Sequence, residues 1–409
     1  MAIVKPFSCL RPAKEYCGRV AALPYDVYTR AEARKQIERE PMSFLKIDRQ
    51  EAVFPEEVDI YDPRTYENAA ELLREMEEQG IYERDADQAY YIYELTQNGR
   101  SQAGLAACCA VDDYMSRVVK KHENTRTEKE ADRVRHIEVV GAHTGPIFMA
   151  YRDEGEIASI LREQMERECL YCFTSPDGVG HRLWKIGDPE LCGRIEKIFR
   201  NIPALYIADG HHRAAAAVRV ALKRREQGAG PEDPSNYFLS ILFPESQLEI
   251  RAYNRLVKDI RGMTPEQFLA RVERDFLVER TRERKFVPES RRVFGMFFDG
   301  AWYRLTPRPE ILTDDPVEGL DVSLLQNHLL GPVLGIEDPR TDKRVEFVGG
   351  DKDAGDLERR ALKDMRLAFS LYPTGLEELF RVADAGRLMP PKSTWFEPKP
   401  RSGILIHRI

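Results

Sequence analysis

"ALYIADGHHRAAAAVRVALKRR", Ala204 to Arg225, sets an apolar run against an alanine-rich run, with Asp209, Gly210, His211, His212 and Arg213 between them. The first run reads as a strand. The second reads as a strong helix, because alanine has the highest helix propensity. A strand–turn–helix junction leaves backbone N–H groups open at the helix start, and with the helix dipole these make an anion site. Gly210 lets the main chain approach a ligand. Arg213 can fork onto a phosphate, and His211 and His212 can donate hydrogen bonds or shuttle a proton. Asp209 suits three uses: an N-cap, an acceptor for a substrate hydroxyl proton, or a ligand for a divalent metal. Adjacent histidines point in different directions on a helix, so a metal shared by His211 and His212 is not expected.

Outward from this junction, strands and helices are mixed without clean βαβ repetition, and the expected fold class is α+β. Thr29 with Glu32 three residues on is a capping-box pattern, which predicts a helix to about Glu40. "SFLKID" reads as a strand. "PRTYENAAELLREMEEQG" is an amphipathic helix stopped at Gly80. Asn98-Gly99 and Asp299-Gly300 sit between β-rich runs and predict hairpins. Composition and patterning divide the chain into an N-terminal α+β region (1–115), a core (116–255) and a C-terminal α+β region (256–409).

The bulk numbers fit this reading. A chain of 409 residues has room for two or three domains at ~150 residues each, and its 42% hydrophobic and 32% charged content is that of a globular protein. The net charge of -7 argues against a nucleic-acid partner, which would ask for a basic footprint. No stretch has secretory or membrane-spanning character, so a cytoplasmic protein with no membrane partner is expected. Seven cysteines are too sparse for a disulfide scaffold.

Two further groups carry possible chemistry. His122-Glu123-Asn124-Thr125 precedes a charged helix with Arg126 and Arg133. A carboxylate beside a hydroxyl and an amide suits an active-site loop, while the charged run after it also reads as a solvent-facing helix. It lacks the zinc-protease pattern, since Arg126 stands where the second histidine would be. Lys392-Ser393-Thr394, with Lys399 after them, suits either a phosphate-binding loop or an ordinary polar loop. Pro24-Tyr25-Asp26 by itself is a turn. There is no Walker-type loop, no complete dinucleotide fingerprint and no hydrolase elbow.

"PYDV", "KKHENTRTEKEADRVRH", "IADGHHR" and "MPPKSTWFEPK", in this order, resemble the bacterial and archaeal family called domain of unknown function 1015, whose members carry a SpoOJ/ParB-like label. The Asp-Gly-His-His-Arg turn is also similar to that of the ParB/sulfiredoxin superfamily, and within it to free serine kinases. The resemblance implies a ParB/sulfiredoxin-like core and phosphoryl transfer to L-serine, giving O-phospho-L-serine, with pyrophosphate or a nucleotide (ADP or ATP) as donor and Mg²⁺ as cofactor. Asp209 would be the catalytic aspartate and a metal ligand, with Glu123 and His211 also catalytic, and either Asp209 or Glu123 would take the serine hydroxyl proton. Gly210, His212 and Arg213, with Lys392, Ser393 and Thr394, would hold the donor phosphates. His122, Asn124, Thr125, Arg126 and Arg133 would face the substrate. The alternative is a non-enzymatic, ParB-like nucleotide-binding regulatory module.

Overall fold

The computed structural model describes residues 1–283, 285–350 and 354–409. The chain forms two compact units: Met1–Leu248 with Pro398–Ile409, and Glu249–Glu397. The class is mixed α and β, as expected. The unit boundaries differ from the composition-based division at 115 and 255. Strand Arg100–Ala110 pairs with Tyr237–Pro244, so one sheet runs straight across position 115. The last twelve residues return to the first unit, where Ile406–Arg408 pairs with Cys9–Pro12 and with Ala142–His143.

The first unit is built on a nine-stranded mixed sheet. Its central hairpin turns at Asn98 and Gly99, both in the left-handed region (φ 52° and 77°), as an Asn-Gly hairpin turn requires. Along one half the order is Val119–Lys120, Leu205–Asp209, Ile147–Tyr151 and Tyr237–Pro244. Leu205–Asp209 runs parallel to Val119–Lys120 and antiparallel to Ile147–Tyr151. The segment after Lys120, the segment after Asp209 and the segment before Ile147 therefore emerge at the same sheet end.

Helix His211–Glu226 packs Ala214, Ala216, Ala217, Val220 and Ala221 into the core formed with Leu205, Ile207, Met149 and Ile137. Small side chains let the helix lie close to the sheet. Helix Arg30–Arg39 begins with the predicted capping box, Thr29 with Glu32. "SFLKID" departs from its reading: Leu45–Asp48 is a helical turn, not a strand. Phe44, Leu45, Ile47 and Asp48 are all buried, so this short run carries no alternation that would separate strand from helix.

The second unit carries a six-stranded antiparallel sheet, from Phe276–Arg280 at one edge to Val345–Val348 at the other. Its hairpin Phe294–Phe298 with Ala301–Pro307 turns at Asp299-Gly300, as predicted. Among the described residues no helix is long and apolar enough to cross a membrane.

Candidate active site

The sheet end described above is where the chemistry collects. Strand Leu205–Asp209 is irregular between Ile207 and Asp209. Gly210 follows at φ 98° and ψ 29°, a left-handed conformation that opens the helix with no side-chain cap. Asp209 is therefore not the N-cap. Its Oδ2 accepts from Arg213 Nη2 at 2.9 Å, and its Oδ1 accepts from Lys399 Nζ at 2.9 Å. Burial opposes ionisation of Asp209, but Lys399 and then Arg213 outweigh it and hold the carboxyl well below the usual carboxylate range. Two cations thus converge on the one Asp209 carboxylate.

Two glycines make room for the Arg213 guanidinium. A Cβ on Gly210 would meet its Nη2 at 3.0 Å, and a Cβ on Gly145 would meet its Nη1 at 3.4 Å and Ser402 Oγ at 2.8 Å. Arg213 Nη1 also donates to the Pro146 carbonyl. Asp48 sits behind this corner and accepts from Thr144 Oγ1 at 2.6 Å.

The loop after Val119–Lys120 supplies the facing wall. His122 and His211 meet edge to face, centroids 4.6 Å apart and rings perpendicular. Both are buried. Burial lowers the His122 pKa to about 4, and burial together with His122 pushes His211 well below its ordinary value. At neutral pH this pair is uncharged, so it offers a donor or an acceptor but no cation. His211 Nε2 has no hydrogen-bond partner among the described residues. Glu123 Oε2 lies 3.8 Å from His211 Nδ1, with its side chain 44% exposed. His212 Nε2 accepts the Arg126 backbone N–H at 2.9 Å and so ties this loop to the helix start.

The remaining expected residues divide. Asn124 and Arg126 are exposed beside the loop. Thr125 donates its hydroxyl to Glu130 Oε2 at 2.7 Å. Arg133 is 5% exposed, paired with Asp132 at 2.8 Å, and stacked 4.2 Å from the Tyr25 ring centre. That use departs from the expected substrate clamp. Lys392, Ser393 and Thr394 belong to the second unit, where Ser393 Oγ donates to the Pro390 carbonyl at 2.6 Å and the Lys392 carbonyl accepts from Arg255. The lysine that meets Asp209 is Lys399.

Sequence reasoning did not single out Asp48, Gly145, Pro146 or Ser402. Thr144-Gly145-Pro146 before a strand is a turn signal that marks such a corner. It gives no indication that an arginine from residue 213 fills it.

A resident magnesium site on Asp209 does not fit these residues. Both carboxylate oxygens already receive cationic donors, and among the described residues no group of three or more His, Cys, Asp or Glu forms a metal-holding cluster.

Over residues 4–323 the chain matches the family described as protein of unknown function (DUF1015), and it belongs to that family. No curated protein matches it. Among solved structures, a free serine kinase variant in complex with AMP is 13% identical, covers 72% of this chain and 86% of that one, and gives a TM-score of 0.36. A conserved hypothetical protein from Pyrococcus furiosus is 13% identical, with 73% and 93% covered and a TM-score of 0.35. SbnI with a C-terminal truncation, from Staphylococcus aureus, is 12% identical, with 72% and 84% covered and a TM-score of 0.37. Likenesses of this size carry nothing about chemistry.

Proposed function

We propose that this member of the family is a small-molecule kinase that transfers a phosphoryl group to the hydroxyl of free L-serine. The observation that carries the reading is the Asp209–Arg213–Lys399 cluster at an uncapped helix start, with Glu123 on the loop opposite. Phosphoryl transfer asks a protein mainly for positioning and charge stabilisation. This cluster supplies both, through a fixed guanidinium, a fixed ammonium and open N–H groups at the start of a 16-residue helix. The choice of serine rests on the resemblance of the Asp-Gly-His-His-Arg turn to free serine kinases.

In this reading the serine oxygen attacks the terminal phosphorus of pyrophosphate or a nucleotide. The new O–P bond forms as the bond to the leaving phosphate breaks, and the hydroxyl proton goes to a carboxylate. Asp209 is a poor base, because two cations hold it ionised. Glu123 is the better candidate: it is partly open to solvent and borders the neutral His211 ring. Asp209 then orients Lys399 and Arg213 toward the donor phosphates. Magnesium enters as an ion carried by those phosphates, as part of the substrate.

The test is incubation of the full chain with L-serine, Mg²⁺ and each of pyrophosphate, ADP and ATP, with O-phospho-L-serine as the readout. Phosphoserine formed with one donor and lost in Glu123→Gln and Asp209→Asn supports the reading. Nucleotide binding without serine-dependent turnover would replace it with a regulatory nucleotide module.

A further inference from the structure

The second unit has a cavity of its own. Its volume is about 340 Å³, and Arg255, Phe347, Glu337, Asp338, Arg340 and Pro391 are among its lining residues. Arg255 is 4% exposed. Its guanidinium donates to the carbonyls of Tyr253 and, at 3.0 Å, Lys392, and lies 4.9 Å from the Phe347 ring centre. No carboxylate among the described residues pairs with it, and burial lowers its pKa to about 10. A buried charge is normally matched by a counter-charge.

The other charges in the lining sharpen the point. Arg340 donates to both carboxylate oxygens of Asp338 at 2.9 Å. That leaves Arg255 inside and Glu337 at the exposed rim, each without an ionic partner among the described residues. The wall beside Arg255 is also strained. Lys392, whose carbonyl Arg255 holds, sits at φ 58°, an uncommon conformation for a residue with a side chain. Strain of this kind tends to gather where ligands are held.

We propose that this cavity binds a small zwitterion, with its oxyanion head on Arg255 and its protonated amine toward Glu337. One unmatched charge of each sign, one deep and one at the mouth, fits a ligand that carries both. The aromatic face of Phe347 and the proline wall fit a short carbon linker between the two ends. The site is independent of the phosphoryl-transfer reading and stands on second-unit residues alone.

Phosphoethanolamine and inorganic phosphate serve as probes, titrated by calorimetry into the full chain. Saturable one-to-one binding of phosphoethanolamine is expected, weakened roughly tenfold or more in Arg255→Met and partly restored in Arg255→Lys. Glu337→Gln, an exposed change that leaves the fold intact, should weaken phosphoethanolamine about threefold and leave inorganic phosphate unchanged. No saturable binding of phosphoethanolamine overturns the proposal. So does equal affinity in the Arg255 variants, or a Glu337→Gln effect identical for both probes. If Arg255→Met does not fold, Arg255→Lys and Glu337→Gln decide the matter.

Discussion

Lys399→Met tests the centre of the site. The Lys399 ammonium lies 2.9 Å from Asp209 Oδ1, and the two side chains are 10% and 24% exposed. An exposed ion pair contributes ~0.2–1 kcal/mol, whereas removing one partner of a fully buried pair costs ~3–5 kcal/mol. Asp209 keeps Arg213 at 2.9 Å and some contact with solvent, which places Lys399→Met between these limits. We expect a loss of about 2 kcal/mol. For a folding unit of this size, that lowers the melting temperature by ~4–8 °C. Asp209→Asn alone should also destabilise, because Lys399 is then buried beside a neutral amide. The double variant should recover part of the loss, giving a coupling energy of ~1–2 kcal/mol in a denaturant double-mutant cycle. Phosphoserine formation should fall by ~10- to 100-fold in Lys399→Met, since a fixed cation facing the donor is lost. A coupling below ~0.5 kcal/mol would refute the reasoning. It would mean that the contact is a surface pair with no hold on Asp209.

Three further outcomes are expected. Gly210→Ala must adopt φ 98° and also press on the Arg213 guanidinium; it should cost ~1–2 kcal/mol in urea unfolding and lower activity, and wild-type stability in this variant would contradict the role given to the glycine. Glu123→Gln should abolish turnover while leaving the melting temperature within about 1 °C, because the side chain is partly exposed and the change conserves its size; a stable variant with full activity removes Glu123 as the base. Stability should fall on acidification. His122, His136 and His407 are buried with pKa values lowered from 6.5 to about 4. Their stabilising contribution is complete above the unfolded pKa and is lost as pH falls from 6.5 toward 4. Over that window the unfolded chain binds protons that the fold rejects, so the slope approaches ~1.4 kcal/mol per pH unit for each histidine. Urea midpoints that stay flat from pH 7.5 to 5 would show that these rings accept protons in the fold.

Much of the local structure was legible in the chain itself. Strand, turn and helix around Asp209–Arg213 follow from an apolar run, a glycine and an alanine run, all within a few residues. The same holds for the Asn98-Gly99 and Asp299-Gly300 hairpins and for the Thr29 cap. These signals are short-range, because backbone conformation and capping depend on neighbours along the chain. "SFLKID" failed where burial on all sides erases periodicity.

Tertiary structure decided what surrounds the turn. Parallel pairing of Val119–Lys120 with Leu205–Asp209 brings Glu123 and His122 to His211. Lys399 reaches Asp209 across 190 residues of sequence, while Lys392, Ser393 and Thr394, only a few residues earlier, belong to the other unit. Burial, which no local pattern reports, turned two potential cations, His122 and His211, into a neutral pair. It also committed Arg133 to Tyr25 and Asp132. Residue types announced an anion-handling turn. Which charges survive there, and which residues face them, was fixed by long-range pairing and by the cost of removing charge from water.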